Sequence, residues 1–172
     1  NKDNEQGMTP AQWPGLPSSE FPGNFDAHYT EGLIVGYRWY DKHKVKPAFG
    51  FGHGLTYGNS TYSDLKVVKS GADAWTVSFN IATTGGCDTP QLYLGYPDAA
   101  TDPAVPTKVL RGFKKSCHAV SPREQIVLAL GPRDVSEWDL AAKAWRVVPG
   151  EFAVYVGASS QDIRLTSSLT VG

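Results

Sequence analysis

The sequence has two cysteines, one methionine and no long apolar run. A bilayer-spanning helix needs about 20 consecutive apolar residues, so no membrane partner is expected. The net charge is −1, and no basic block is present to neutralise a run of phosphates, which argues against nucleic-acid binding. Nothing resembles a signal peptide, so a secreted protein would have lost that signal or carried it far upstream.

Motifs of cofactor, metal and hydrolase sites are also missing. The sequence has no GxGxxG, Walker or GxSxG pattern and no CxxC or HxxxH pair, so no cofactor or metal is predicted. Glycosidase chemistry needs two carboxylates, and the candidates are Glu31, Asp41, Asp134, Glu137 and Asp139. No spacing brings two of them together, and Asp134 and Asp139 are better interpreted as turn and capping residues.

Proline and glycine, by contrast, are plentiful, with 12 and 18 residues. Prolines are so dense in residues 1–28 that a helix interior or central strand is excluded there, which predicts an irregular strap. Residues 29–57 are rich in aromatic rings and glycines and favour neither a regular helix nor a simple strand. Arg38 and Asp41 are close enough in sequence to pair locally.

From residue 61 onward the pattern predicts a compact all-β domain. Residues 75–81 alternate with period two, which places Trp75, Val77, Phe79 and Ile81 on one buried face. Seven or eight short segments of this kind alternate with turn residues. This number of strands, over about 110 residues, favours an immunoglobulin-like β-sandwich.

The two cysteines are placed symmetrically about residue 102, in the middle of the 97–106 loop. If the segments flanking this loop pair antiparallel, Cys87 and Cys117 lie opposite each other, which predicts a disulfide. The alternative is two independent thiols.

A few other side chains are candidates for sites. Asn59-Ser60-Thr61 is an N-glycosylation sequon that matters only in an extracellular chain. His53 lies between glycines, where a hydrogen-bonded turn is a commoner role than catalysis or ligation. Trp138 and Trp145 flank a turn, where they either pack on each other or form a sugar-stacking platform.

Several motifs, in order, resemble those of glycoside hydrolase family 3 β-glucosidases. They are EGL at 31–33, VGYRWYD at 35–41, FGHGLTY at 51–57, PQLY at 90–93, LRGF at 110–113, PRD at 132–134 with WD at 138–139, and PGEF at 149–152. The resemblance extends over nearly the whole chain from about Gln12. One departure is Thr83 to Cys87, TTGGC, where the family usually has an Asn-Thr-Gly turn.

The resemblance implies the C-terminal part of such an enzyme. Residues 1–60 would be the last strap of the α/β sandwich domain and the linker, and residues 61–172 the fibronectin type III-like domain. The family's catalytic aspartate and glutamate lie on domains that these motifs do not include, so no catalytic residue is assigned. The linker side chains implied to pack against those catalytic domains are Tyr37, Arg38, Trp39, Tyr40, Phe51 and His53.

The expected function is therefore a secreted, non-catalytic accessory region of a β-glucosidase that takes part in cellulose breakdown. Its expected partners are the catalytic domains and, through Trp138 and Trp145, a polysaccharide or plant cell-wall polymer. Two alternatives are a stand-alone module that binds polysaccharide or lignin-like polymer, and a small self-sufficient glycosidase.

Overall fold

The computed structural model describes residues 9–100, 102–117 and 123–172. Residues 1–8 of the predicted strap therefore lie outside the described residues. The elements are β1 Leu16–Pro17, β2 Phe25–Asp26, α1 Tyr37–His43, β3 Ser60–Gly71, β4 Ala74–Thr83, β5 Cys87–Asp88, β6 Gln91–Gly95, β7 Val109–Phe113, β8 Ser116–Cys117, β9 Arg123–Leu130, β10 Ser136–Asp139, β11 Ala144–Val147, β12 Gly150–Gly157 and β13 Ile163–Val171, with 3-10 turns at Pro97–Ala100 and Pro132–Val135. Among these residues, no helix has the length and apolar character needed to cross a bilayer.

Two antiparallel sheets form a β-sandwich. One has the strand order β13-β12-β6-β7 and the other β3-β4-β9. Three two-stranded ladders accompany them: β1-β2 in the strap, β5-β8 beside the sandwich, and the hairpin β10-β11. The predicted all-β, immunoglobulin-like fold is confirmed, and β3 begins at Ser60, beside the predicted domain boundary.

The core lies between the two sheets, and period-two alternation selects its residues. In β4, Trp75, Val77, Phe79 and Ile81 are all buried, as the alternation predicts. They pack in one cluster with Leu92 and Leu94 of β6, Ile126 and Leu130 of β9, and Phe152, Val154 and Val156 of β12. Strand β6 differs because all five of its residues are buried, so both of its faces are covered.

Cys87 and Cys117 form a disulfide between β5 and β8. They are directly opposed in the antiparallel register, with their Cα atoms 4.1 Å apart. This is the arrangement that symmetry about the 97–106 loop predicts.

We expect replacement of both Cys87 and Cys117 by serine to lower the free energy of unfolding by about 3–4 kcal/mol, because the crosslink closes a long loop in the unfolded chain. The sequence separation is 30 residues, and both side chains are exposed, so no cavity adds to the loss. Urea unfolding of the oxidised chain and the double variant measures the difference. Equal stabilities would show that the loop is already constrained in the unfolded state.

Candidate interdomain surface

Helix α1 covers the outer face of β6. The Tyr37 ring stacks on Phe51 with centroids 4.9 Å apart and meets Tyr93 edge-on at 5.9 Å. The backbone N–H of Leu110 donates to the Tyr37 hydroxyl at 2.9 Å. Burial, with smaller contributions from Tyr37 and Asp41, raises the pKa of the Tyr93 hydroxyl above its ordinary value. The linker therefore supplies the second cover of this central strand.

A buried ion pair fastens the same helix to the sandwich. Asp41 Oδ2 lies 2.6 Å from Lys108 Nζ, and the two side chains are only 5% and 11% exposed. Gln161 Nε2 donates to the other oxygen of Asp41 at 2.8 Å. The sequence-based pairing of Asp41 with Arg38 is wrong, because the Asp41 carboxylate is used on the sandwich instead.

The neighbouring Lys42 holds the loop that follows β6. Its ammonium donates to the carbonyl oxygens of Ala99, Asp102 and Val105 at 2.8, 2.5 and 2.9 Å. Three donors on one ammonium match three carbonyls, so Lys42 both orders this loop and adds a second attachment for α1.

The glycine-rich segment after α1 docks beside the opposite end of β6. The Phe51 N–H donates to Ser160 Oγ at 3.0 Å, and the Ser160 N–H donates back to the Phe51 carbonyl at 2.8 Å. Gly52 has φ +80°, and a Cβ there would lie 2.0 Å from the Gln91 side chain. Gln91 donates to the carbonyl oxygens of Gly52 and Ala158 at 3.4 and 3.2 Å. Only glycine fits this close approach.

Much of the strap and linker faces solvent with large apolar side chains. We call these the exposed strap residues: Trp13, Leu16, Phe21, Phe25, Tyr29, Leu33, Phe49, Leu55 and Tyr57. Phe49 is 75% exposed, Leu55 is 95% exposed and Tyr57 is fully exposed. A soluble domain rarely leaves so much apolar surface in water unless a partner covers it.

The structure divides the predicted packing residues into two groups. Tyr37 packs inside the chain, and Phe51 stacks on it while 49% of the Phe51 surface remains exposed. Trp39 and Tyr40 are half-buried, and Trp39 stacks on His43 with centroids 4.3 Å apart. Arg38 is half-buried, whereas His53 is exposed and lies 5.3 Å from the Phe49 ring. Their packing against further domains stays a prediction.

A cavity of about 530 Å³ lies beside the loop of residues 52–60. Two of its charged groups pair with each other: Arg164 donates to Asp162 Oδ2 at 2.8 Å, and it also donates to the Ser60 carbonyl at 2.7 Å. Tyr62 donates to Asp88 at 3.0 Å, and the Arg164 guanidinium lies over the Tyr62 ring. The hydrogen bond from Arg164 holds the pKa of Asp162 below its usual range. These groups thus stabilise the wall of the cavity.

The candidate carboxylates near the β10-β11 hairpin are held in turn hydrogen bonds and ion pairs, and Glu137 and Asp139 share Arg146 as their partner. Asp134 accepts the Gly131 N–H at 2.9 Å. Asp139 accepts the N–H groups of Ala141 and Ala142, both at 2.9 Å, which hold the pKa of Asp139 below its usual range. Glu137 pairs with Arg146. Among the described residues, no three His, Cys, Asp or Glu side chains are grouped as a metal site would require.

Trp138 and Trp145 lie opposite each other on the hairpin β10-β11. Their ring centroids are 5.4 Å apart and the rings are tilted by 58°. The Arg133 guanidinium covers the Trp145 ring at 3.2 Å. Both rings remain nearly half exposed, so they pack on each other and still offer surface to a ligand.

Sequence reasoning missed the residues that dock the linker. Asp41, Lys42 and Gln91 find partners at Lys108, the 99–105 loop and Ala158, which are 57 to 67 residues away along the chain. Local periodicity carries no information on such pairs. The only available signal is the charged pair Asp41-Lys42 within a run of aromatic residues.

Residues 88–160 match the family model described as "Fibronectin type III-like domain". The chain is 40% identical to the probable β-glucosidase D of Aspergillus niger, with 84% of this chain covered and 22% of the relative. It is 38% identical to β-glucosidase cel3A of Pyricularia oryzae, with 85% and 23% covered. The chain thus spans less than a quarter of the length of these relatives.

Solved structures give the same correspondence in three dimensions. The chain superposes on β-glucosidase 3B from Thermotoga neapolitana with a TM-score of 0.79 at 34% identity, covering 94% of this chain and 22% of that one. For the GH3 β-glucosidase of Bifidobacterium adolescentis the TM-score is 0.82 at 30% identity, with 93% and 23% covered. The match includes the strap and linker as well as the sandwich.

Proposed function

Because this chain corresponds to the C-terminal, fibronectin type III-like region of family 3 β-glucosidases, we propose that it is a non-catalytic accessory part of such an enzyme. In this role, the sandwich is a rigid support and the linker presents the exposed strap residues to the catalytic domains. Hydrolysis of terminal β-D-glucosyl residues, as in cellulose breakdown, belongs to those domains.

This proposal rests on the different environments of the two sides of the linker. Its inner side is fixed to the sandwich by Asp41, Lys42 and Tyr37. Its outer side places Phe49, Leu55 and Tyr57 in water without a covering layer from the described chain. Burial of one such side chain is worth about 1.5–3 kcal/mol, so a partner that covers several of them gains substantial stability.

Secretion is part of the proposal. Both cysteines of the chain are consumed in the Cys87–Cys117 disulfide. Structural disulfides persist in oxidising compartments and are rare in the cytosol. The disulfide therefore supports an extracellular parent enzyme.

A chimera tests the accessory role. We expect the chain alone to leave an aryl β-glucoside intact. We expect Aspergillus niger β-glucosidase D to hydrolyse this substrate when the chain replaces its matching region. In the chimera, the triple change Phe49→Ser, Leu55→Ser and Tyr57→Ser should lower the temperature of inactivation by several degrees.

The matched control uses apolar residues that are exposed elsewhere. Val68 and Val127 lie on the outer side of the β3-β4-β9 sheet, and their replacement by serine should leave inactivation unchanged. Equal effects of the two sets would contradict an interface at the strap. Turnover by the chain alone would favour a self-sufficient glycosidase.

A second candidate role, contact with an insoluble glucan, rests on Trp138 and Trp145. The exposed parts of the two rings offer apolar surface to sugar rings, with Glu137 and Arg146 as polar neighbours. We expect the chain to be retained on cellulose and the variant Trp138→Ser/Trp145→Ser to pass through. The control is the variant Val68→Ser, which should be retained like the unmodified chain. If the unmodified chain is not retained on cellulose, this role is excluded.

A further inference from the structure

Asn59 occupies a surface position immediately before β3. Its backbone is fixed to the Thr84 turn, because the Asn59 N–H donates to Thr84 Oγ1 at 2.9 Å and the Thr84 N–H donates to the Asn59 carbonyl at 3.0 Å. The residue is exposed at the rim of the 530 Å³ cavity. Among the residues that the structure describes, Asn59 is thus anchored through its backbone alone, and its exposed side chain has room to carry a substituent.

The neighbouring residues complete a sequon whose parts have separate roles in the fold. Ser60 is the first residue of β3, and Thr61 is exposed. Asn59-Ser60-Thr61 is the only N-x-[ST] sequence, with x other than proline, in the chain. Attachment of a glycan requires this sequon, and the folded protein must leave the modified asparagine at its surface because the glycan is bulky and hydrated.

An independent observation points to the compartment in which N-glycans are added. The disulfide between Cys87 and Cys117 also borders the cavity near Asn59, through Cys87. Formation of this bond is expected in the endoplasmic reticulum, where sequons are also modified. The curated relatives compared above are fungal and therefore have this pathway.

We propose that Asn59 carries an N-linked glycan that marks the border of the interdomain surface. The proposal rests on the secretion proposed above. Tyr57, the last of the exposed strap residues, is two residues from Asn59, which is at most about 7 Å of chain. A hydrated oligosaccharide cannot be buried in an apolar interface. The catalytic domains therefore cover the linker up to Tyr57, while the part of the cavity rim at Asn59 stays in solvent.

The experiment uses the full chain fused to a yeast secretion signal. Thiol labelling of the secreted product reports the disulfide, and peptide N-glycosidase in heavy-oxygen water reports a glycan at Asn59 by mass spectrometry. We expect an oxidised, glycosylated chain. Because the fusion delivers the chain to the secretory pathway, a negative result concerns Asn59 alone and leaves the accessory function intact.

Three variants separate the sequon from the fold. Thr61→Ala should abolish the glycan, whereas Thr61→Ser and Ser60→Ala should retain it. An oxidised secreted chain with unmodified Asn59 would overturn the proposal. In the active chimera, native peptide N-glycosidase treatment should release the glycan without loss of activity; a glycan that is released only after unfolding would overturn the proposed border.

Discussion

Replacement of Asp41 by alanine is expected to lower the free energy of unfolding by about 3–5 kcal/mol, because it leaves the Lys108 ammonium buried without its counter-charge. Lys108 is 11% exposed, and its partner lies 2.6 Å away. The same change removes the acceptor of Gln161. Urea unfolding, extrapolated to water, measures the loss.

Two controls give this prediction its specificity. The double variant Asp41→Ala/Lys108→Met should recover much of the loss, because it removes the unpaired charge together with its partner. Lys114→Ala breaks an ion pair of similar length, 2.8 Å to Glu124, but on the exposed surface, and it should change stability little. A small effect of Asp41→Ala would mean that water reaches Lys108 in the variant.

The second prediction concerns where the stable unit begins. A chain that starts at Ser60 keeps every strand of the sandwich but loses α1 and the segment that covers β6. We expect this truncation to lower the free energy of unfolding by more than the Asp41→Ala substitution does. It loses the same counter-charge and also the Tyr37 contact with Tyr93 and the Lys42 bonds to the 99–105 loop.

A chain that starts at Glu31 is the matched control for this truncation. It lacks β1 and β2 but keeps Ile34, which is buried, and the whole of α1. We expect its free energy of unfolding to stay close to that of the full chain. If the chains from Glu31 and from Ser60 were equally stable, α1 would contribute nothing to the sandwich. The predicted division at residues 60 and 61 would then also be the physical one.

The local alternation of apolar and polar residues predicted the strands well. The alternation of β4 identified four core residues, because side-chain direction in a strand depends only on sequence parity. The position of the disulfide followed from the antiparallel symmetry of β5 and β8 about one loop. The roles of Asp134 and Asp139 in turns were also correct, since such hydrogen bonds reach only two or three residues along the chain.

Prediction from the local sequence failed where an element depends on residues that are distant along the chain. Helix α1 has seven residues and no side-chain N-cap hydrogen bond, and a helix so short is not stable alone in water. It exists because Tyr37, Asp41 and Lys42 are bound by the sandwich. The wrong pairing of Arg38 with Asp41 has the same origin, since proximity in sequence favoured it and burial beside Lys108 decided otherwise.

The amino-acid sequence by itself thus determined the β-sandwich, its core residues, the cysteine pair and the family resemblance, because each depends on local periodicity or on a contiguous motif. Only the tertiary structure decided which side of the linker is used within the chain and which side is left for a partner. That division follows from the buried charge of Lys108 and the open face of β6. Both must be covered, and the nearest groups able to cover them are on α1.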